Sequence, residues 1–226
     1  MKRILISAAL LLSVMVCHAQ WDKRAIVEIS AGTSYPFGEF SYSSYSFNKS
    51  GFAENGLNMA VSFTYRVNAQ LGLVASVSER LLGVDEVNIA MKYRIPQYGW
   101  NWSVESTCWS SNAYLGGIDI ILPVYKSDIQ LRLLGGYAAT RLPGLTGSAF
   151  NFQREATTDM AAAWSVGAGF TYQNFDKVTL SAMLDFYMSY PVLDEAWSSD
   201  FDSGSGIIKQ NIHLINLSVG LGFRIF

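Results

Sequence analysis

The stretch INLSVGLGFRI, residues 215–225, alternates a large apolar side chain with a small or polar one at every position. Alternation with a period of two is typical of a β-strand that has one apolar and one polar face. A tilted strand needs about 9–11 residues to cross a bilayer, and this stretch has that length. The stretch therefore predicts a strand, and the rest of the chain decides whether its apolar face meets lipid or a protein core.

Seven further segments repeat the alternation, so the sequence predicts eight strands in an all-β chain. Taken over all the segments, the second face carries mostly Gly, Ala, Ser and Thr rather than Lys and Glu. A soluble β-sandwich would place more charge on its solvent face. Small side chains instead suit the inside of a narrow barrel. The seven segments lie at residues 25–32, 57–66, 71–78, 114–122, 129–137, 164–172 and 178–186.

The charges inside these segments favour a membrane barrel. All of them fall on the polar face, and a charge facing lipid near the midplane would cost about 2–4 kcal/mol. We therefore predict that they form a charge network in the lumen. Asp119 and Arg132 lie on consecutive strands around a tight turn, where they can pair. The predicted network contains Glu28, Asp119, Arg132, Asp185 and Arg224.

The connections alternate in length, as in outer-membrane barrels with short periplasmic turns and long outer loops. The short ones lie at 67–69, 125–127 and 173–177, and the long ones at about 35–55, 80–112, 138–160 and 189–210. Residues 87–95 also alternate and, paired with 102–109, would give ten strands. A short helix within the second outer loop is the other interpretation of residues 87–95.

The first 19 residues predict a cleaved signal peptide. Lys2 and Arg3 precede an apolar run at 4–16, and small residues lead to a cleavage site after Ala19. Residues 20–226 then form one outer-membrane β-barrel domain. Half of the chain is hydrophobic and only 15% is charged, with no basic patch that would indicate nucleic acid. A membrane protein without a long spanning helix must cross lipid as a closed barrel, so the alternating pattern decides the fold class.

No catalytic, cofactor or metal site is predicted. The exported part keeps one cysteine, Cys108, which excludes a disulfide within the chain and a cysteine metal cluster. Its one histidine, His213, faces lipid at the outer rim by parity, and an interfacial role is favoured over a serine–histidine hydrolase. Asp119 and Asp185 are better explained by the lumen network than by paired-carboxylate catalysis.

Two outer loops have compositions found at binding surfaces, although solvated loops share them. Residues 41–48 are rich in Tyr, Ser and Asn, the chemistry of adaptable contacts. The fourth loop could bind a cation or a sugar, because it combines acids with aromatic rings. Its residues of this kind are Asp194, Glu195, Asp200 and Asp202, beside Trp197 and Phe201.

Several strings resemble the small bacterial outer-membrane β-barrel-domain proteins. They are YPFGEF at 35–40 with SGFAENG at 50–56, the hairpin at 114–143, and the closing strand at 212–224. The resemblance covers essentially the whole exported chain and implies fold and location in a family that is mostly functionally uncharacterised. Members usually end with an aromatic residue on the lipid parity, read by the barrel-insertion machinery. Here Phe223 holds that parity, and Phe226 holds the opposite one.

Together these observations predict an outer-membrane barrel of a Gram-negative envelope with a lumen filled by side chains. We expect a structural or surface-interaction scaffold that works through its outer loops, not an enzyme. The expected partners are outer-membrane lipid, the insertion machinery during biogenesis and a surface ligand, but not nucleic acid. A porin-like or small-ligand transport barrel is the alternative, favoured if ten strands widen the lumen.

Overall fold

A computed structural model describes residues 25–43, 50–92, 103–148, 151–173, 177–200 and 203–225, and the predicted signal peptide lies outside them. Thirteen strands occur in these residues and are numbered here in chain order. The eight long ones are β1 Ala25–Pro36, β2 Ala53–Arg66, β3 Leu71–Val84, β5 Trp109–Val124, β6 Ser127–Arg141, β9 Thr158–Tyr172, β10 Val178–Ser189 and β13 Ile212–Arg224. The five short ones are β4 Val104–Ser106, β7 Leu145–Gly147, β8 Gln153–Arg154, β11 Val192–Ser198 and β12 Ser203–Lys209.

The eight long strands form a closed antiparallel barrel in the order β1-β13-β10-β9-β6-β5-β3-β2. The predicted eight-stranded up-and-down fold is therefore confirmed. Every barrel strand is hydrogen-bonded on both sides, which lipid requires of any spanning backbone. Among the described residues, no helix is long and apolar enough to cross a membrane.

The two faces of the barrel follow the alternation read from the sequence. Side chains such as Ile29, Val61 and Leu217 point outwards and are exposed, whereas Ser62 and Asn216 point inwards and are buried. The outward apolar band is the surface that a membrane barrel presents to lipid.

The register of the pairs gives the barrel its size. Starting at Ala25, the paired positions lead around all eight strands and return to β1 at Tyr35, a stagger of 35 − 25 = 10 residues. With strands about 4.8 Å apart and a rise of about 3.3 Å per residue, this stagger tilts the strands by about 40°. A barrel of eight strands at this tilt has room inside for side chains but not for a wide channel.

The barrel strands extend further than the alternation predicted, mainly at their outer ends. Towards its outer end β3 places Glu79 outwards and Leu82 inwards, and Leu82 pairs with Trp109 at the start of β5. Leu82 and Trp109 are both buried. At this end of the barrel, therefore, apolar side chains also occupy the inward face, while the outward face carries both Glu79 and Leu81. This loss of contrast between the two faces explains why the pattern read from the sequence stops before the strands do.

The outer loops fold into a separate small structure, here called the outer cap. It consists of the helix α1, Glu86–Lys92, and a five-stranded sheet in the order β12-β11-β8-β7-β4. The ten-stranded alternative is wrong, because residues 86–92 are helical and β4 pairs with β7 in the cap rather than with the barrel. Residues 93–102 lie outside the described part of the chain.

Local capping explains the helix. The backbone N–H and the side chain of Asn88 donate to the carboxylate of Asp85, at 3.1 and 2.7 Å, as an N-terminal cap does. Burial raises the pKa of this carboxyl, but hydrogen bonds from Asn88 and Ser43 outweigh burial and leave the pKa below its ordinary value. Ile89 then packs against Phe52 and Val104 in the core of the cap.

Candidate functional site

The periplasmic end of the lumen is closed by four polar side chains. Asp128 accepts hydrogen bonds from Arg66 and Gln173, and Arg224 donates to Gln173. Asp128 is buried, and its contact with Arg66 is also an ion pair. Glu28 pairs across the closing strands with Gly222, and Arg224 with Ile26. The first and last strands thus adjoin, and the guanidinium of Arg224 reaches Gln173.

The middle of the lumen holds an ion pair between neighbouring strands. Asp119 lies directly opposite Arg132 in the register, with Arg132 Nη2 3.6 Å from Asp119 Oδ2. Arg132 also attracts Asp185 from across β9. Gly167 lies between them, opposite both residues, and a Cβ there would come within 2.0 Å of Asp185 Oδ1. Glycine is therefore needed where these two charged side chains approach each other.

Arg80 and Tyr187 belong to the same region, and neither is among the residues predicted from the sequence. Arg80 is 4% exposed, and its guanidinium carbon lies 3.8 Å from the centre of the Tyr187 ring. A cation over an aromatic face at this distance is attracted by the ring, more strongly where water is excluded. The Tyr187 hydroxyl shares a hydrogen bond of 3.2 Å with Ser111. Arg80 falls at the start of the predicted second outer loop, and continuing the polar parity of β3 by one step would have found it.

The outer half of the lumen is filled by apolar side chains. A short 3-10 turn at Gly38–Phe40 places Phe40 in the barrel mouth, 5.2 Å from Trp109 between ring centres. Trp109 Nε1 donates to the carbonyl of Gly51 at 3.0 Å. Leu82 and Leu214 complete this packing. We call this apolar layer, together with the charged layers beneath it, the lumen plug.

A small polar cavity of about 40 Å³ remains within the plug. Glu28, Arg80, Arg132 and Asp185 contribute to its lining. A water molecule occupies about 30 Å³ in the liquid, so the space holds one or two. The five charged residues of the predicted network therefore lie at two levels. Glu28, Arg132 and Asp185 line this cavity, and Arg132 also pairs with Asp119. Arg224 instead belongs to the periplasmic cluster.

A second, larger cavity of about 540 Å³ lies between the plug and the outer cap. Its lining includes Phe52, Trp109 and the ion pair of Arg154 with Glu195, whose Nη1 and Oε1 are 3.1 Å apart. Arg154 Nη2 also donates to the carbonyl of Pro143 at 3.0 Å. The outer cap thus has an apolar core and one nearly buried ion pair.

The loop residues singled out from the sequence are placed as follows. Glu195 lines the larger cavity, while Asp194 is exposed on β11. Asp200 accepts a hydrogen bond from Asn151 at 2.9 Å. Asp202, Phe201 and residues 44–48 lie outside the described part of the chain. Within that part, no group of three or more His, Cys, Asp or Glu side chains could hold a metal ion.

The two other singled-out side chains lie at the outer rim. Cys108 is an exposed thiol between β4 and β5. His213 packs among aromatic rings, with centre-to-centre distances of 5.5 Å to Phe37 and 5.9 Å to Tyr190. These ring contacts agree with the interfacial interpretation of His213, because aromatic side chains concentrate where a membrane meets water.

Comparisons with known proteins address the fold. No protein-family model matches the chain, and no curated protein matches it. Ail, the attachment invasion locus protein of Yersinia pestis, is 11% identical, with 91% of this chain and 100% of that chain covered and a TM-score of 0.50. Neisserial surface protein A is 11% identical, with 89% and 97% covered and a TM-score of 0.50. A major outer membrane protein of Thermus thermophilus is 10% identical, with 89% and 99% covered and a TM-score of 0.58.

These neighbours are bacterial outer-membrane proteins. At such low identity the likeness concerns the fold. It confirms the prediction that this chain has the fold of a small outer-membrane β-barrel.

Proposed function

We propose that this chain is an integral barrel of the bacterial outer membrane, with a lumen closed by its own side chains, and that it acts as a surface-interaction scaffold through its outer cap. Two features support the membrane location. The barrel is closed, and its outward face is an apolar band that includes Ile29 and Leu217. Such a surface is stable in lipid and unfavourable in water.

The observation that carries the proposal is the lumen plug. Hydrogen-bonded charges occupy the periplasmic end, the ion pair of Asp119 with Arg132 occupies the middle, and apolar side chains that include Phe40 and Trp109 occupy the outer half. The cavity left inside measures only about 40 Å³. A hydrated ion or nutrient would have to displace buried side chains to pass, so we do not propose a diffusion pore.

The outer cap supports the interaction role. Its strands and helix pack around a core of their own that includes Phe52, Ile89 and Phe152. A binding surface that is already ordered loses less conformational entropy when it meets a partner. The residues that face outwards on the cap, such as Asp194 and Val192, are available for such contacts.

For biogenesis, we propose that the insertion machinery reads Phe223. Its side chain lies on the lipid face of β13 and is about half exposed. Phe226, on the other parity, lies outside the described residues. Replacing Phe223 by Ala should therefore reduce the folded protein in outer-membrane fractions.

Conductance in planar lipid bilayers tests the closed lumen. We expect the purified protein to give no steady current above an empty bilayer. A Phe40→Gly/Trp109→Gly variant, which removes the outer layer of the plug, should pass at least intermittent current and shows that the assay detects opening. Tyr125→Ala, in an exposed periplasmic turn, is the matched control and should stay closed. A steady current from the unaltered protein would overturn the proposal and favour the transport alternative.

A further inference from the structure

The cavity of about 540 Å³ between the lumen plug and the outer cap, here called the cap cavity, has the composition of a ligand site. We propose that it binds a small amphipathic acid, meaning a molecule with an apolar body and one anionic group. The inference deepens the proposed function, because it names a ligand class for the outer cap. It does not depend on whether the lumen conducts.

The apolar wall of the cap cavity is fixed by its surroundings. Trp109 is held by its hydrogen bond to Gly51 and by the edge of Phe40. Ile89 is held by the capped helix, and Phe52 by the core of the cap. Phe52 also has a left-handed backbone, with φ of 53°. That conformation is uncommon for a bulky residue, and backbones of this kind cluster at ligand sites.

Gly206 of β12 is exposed and leaves open space on the strand face that carries a lining residue. Gly206 pairs with Glu195 and lies on the same face of the strand as Ile208, and both of these residues line the cavity. A Cβ built on Gly206 meets no atom within 4 Å. At Gly204, by contrast, a Cβ would come within 2.8 Å of the Trp197 ring. The space next to Gly204 is thus occupied by an aromatic ring, whereas the space next to Gly206, beside the cavity, is open.

The charges around the cap cavity favour an anion. Arg154 and Glu195 neutralise each other in their ion pair. Lys209 also lines the cavity and leaves a net positive charge. By register it lies on the face of β12 opposite to Gly206, at the exposed end of the strand. Gln210 adds a neutral polar group beside it. An acid can therefore place its apolar body against Trp109 and its anionic group near Lys209.

The volume limits the size of the ligand. Since a water molecule takes about 30 Å³ in the liquid, the cap cavity holds about 18 water volumes. That corresponds to a ligand of roughly 15–20 non-hydrogen atoms, within the usual range for small-molecule pockets. A medium-chain fatty acid or an aromatic sulfonate fits this limit, whereas a complete membrane lipid does not.

The test uses the full exported chain in lipid nanodiscs, with anilinonaphthalene sulfonate as a fluorescent probe and empty nanodiscs as the blank. We expect a saturable rise in fluorescence corresponding to one probe per barrel. Dodecanoate should displace the probe, and dodecyltrimethylammonium, with the same chain and the opposite charge, should not. Absence of saturable binding, or equal displacement by both chains, would overturn the proposal.

Three variants locate the site. Gly206→Phe should fill the cap cavity and weaken probe binding by about tenfold or more. Val124→Phe places the same ring at the exposed periplasmic end of β5, far from the cap cavity, and its affinity should stay within about twofold of the unaltered protein. Lys209→Gln should weaken binding by about two- to fivefold, as expected for an exposed charge. Equal affinities in Gly206→Phe and Val124→Phe would place the probe elsewhere and refute the site.

Heat-modifiable gel mobility checks that each variant folds. If Gly206→Phe does not fold, the comparison of dodecanoate with dodecyltrimethylammonium on the unaltered protein still decides the ligand class. The fluorescence experiment tests the ligand site, and the conductance experiment tests the closed lumen. The two results are independent, because a conducting barrel can bind the probe and a closed barrel can lack the site.

Discussion

Replacing Arg132 by Met should destabilise the barrel by about 3–5 kcal/mol, because it leaves the carboxylate of Asp119 buried without its nearest counter-charge. Arg132 Nη2 lies 3.6 Å from Asp119 Oδ2, and Asp119 is fully buried. Methionine is a flexible, unbranched side chain that reaches as far as the Nε of arginine, so the substitution removes the charged group and keeps the apolar stem.

The distance between the two charges sets the size of the expected loss of stability. At 3.6 Å the attraction of two unit charges is about 4–5 kcal/mol with an effective dielectric constant of about 20. Asp119 retains the weaker attraction of Arg66, and Asp185 retains that of Arg80. In the converse variant, Asp119→Leu, Arg132 keeps Asp185 as a counter-charge. That variant should therefore cost less, about 1–3 kcal/mol.

The assay is urea unfolding of the protein in lipid vesicles, followed by heat-modifiable gel mobility. The double variant Arg132→Met/Asp119→Leu should recover at least half of the loss caused by Arg132→Met, since apolar replacement of both ions is often close to neutral. A loss below about 1 kcal/mol for Arg132→Met, or a double variant whose loss equals the sum of the single losses, would refute this account of the pair.

Two further predictions concern a lumen glycine and the cap helix. Gly117→Ala should destabilise the barrel by about 1–3 kcal/mol, because the added Cβ would come within 2.0 Å of a backbone oxygen of β6. Gly116→Ala is the control in the same urea assay. It should be close to neutral, because the nearest atom to its added Cβ is 3.8 Å away. Protection of the backbone amides of α1 from hydrogen exchange should be full above about pH 4 and should fall as the pH drops through the lowered pKa of Asp85, whose charged form holds the cap. Asp85→Asn, which caps without titrating, should abolish that pH dependence, and a profile unchanged in this variant would contradict the capping role.

The long alternating segments were predictable because the two faces of a membrane strand meet different surroundings. Lipid excludes charge from one face, and a narrow lumen favours small side chains on the other. Neighbouring residues in the sequence therefore alternate between large apolar and small or polar side chains. The outer ends of the strands were not predictable in this way. There the outward face carries both Glu79 and Leu81 and the inward face both Arg80 and Leu82, so the contrast between the faces disappears.

The candidate sites were predictable only in part. Asp119 and Arg132 could be paired because a tight turn connects their strands, which makes the contact local. Arg66 and Asp128 are separated by 62 positions, and the contact of Arg80 with Tyr187 joins β3 and β10 across the lumen. The cap cavity is assembled from segments between residues 50 and 210. No pattern along the chain indicates such contacts.

By itself, the sequence determined that this chain forms a barrel and which face of each strand looks inwards, because both follow from local alternation and from the free energy of placing charge in lipid. The tertiary structure decided the stagger of ten residues, the partners of the lumen charges and the folding of the outer loops into a cap around a cavity. These features depend on closure, which brings distant residues together at angles and distances that no single strand specifies.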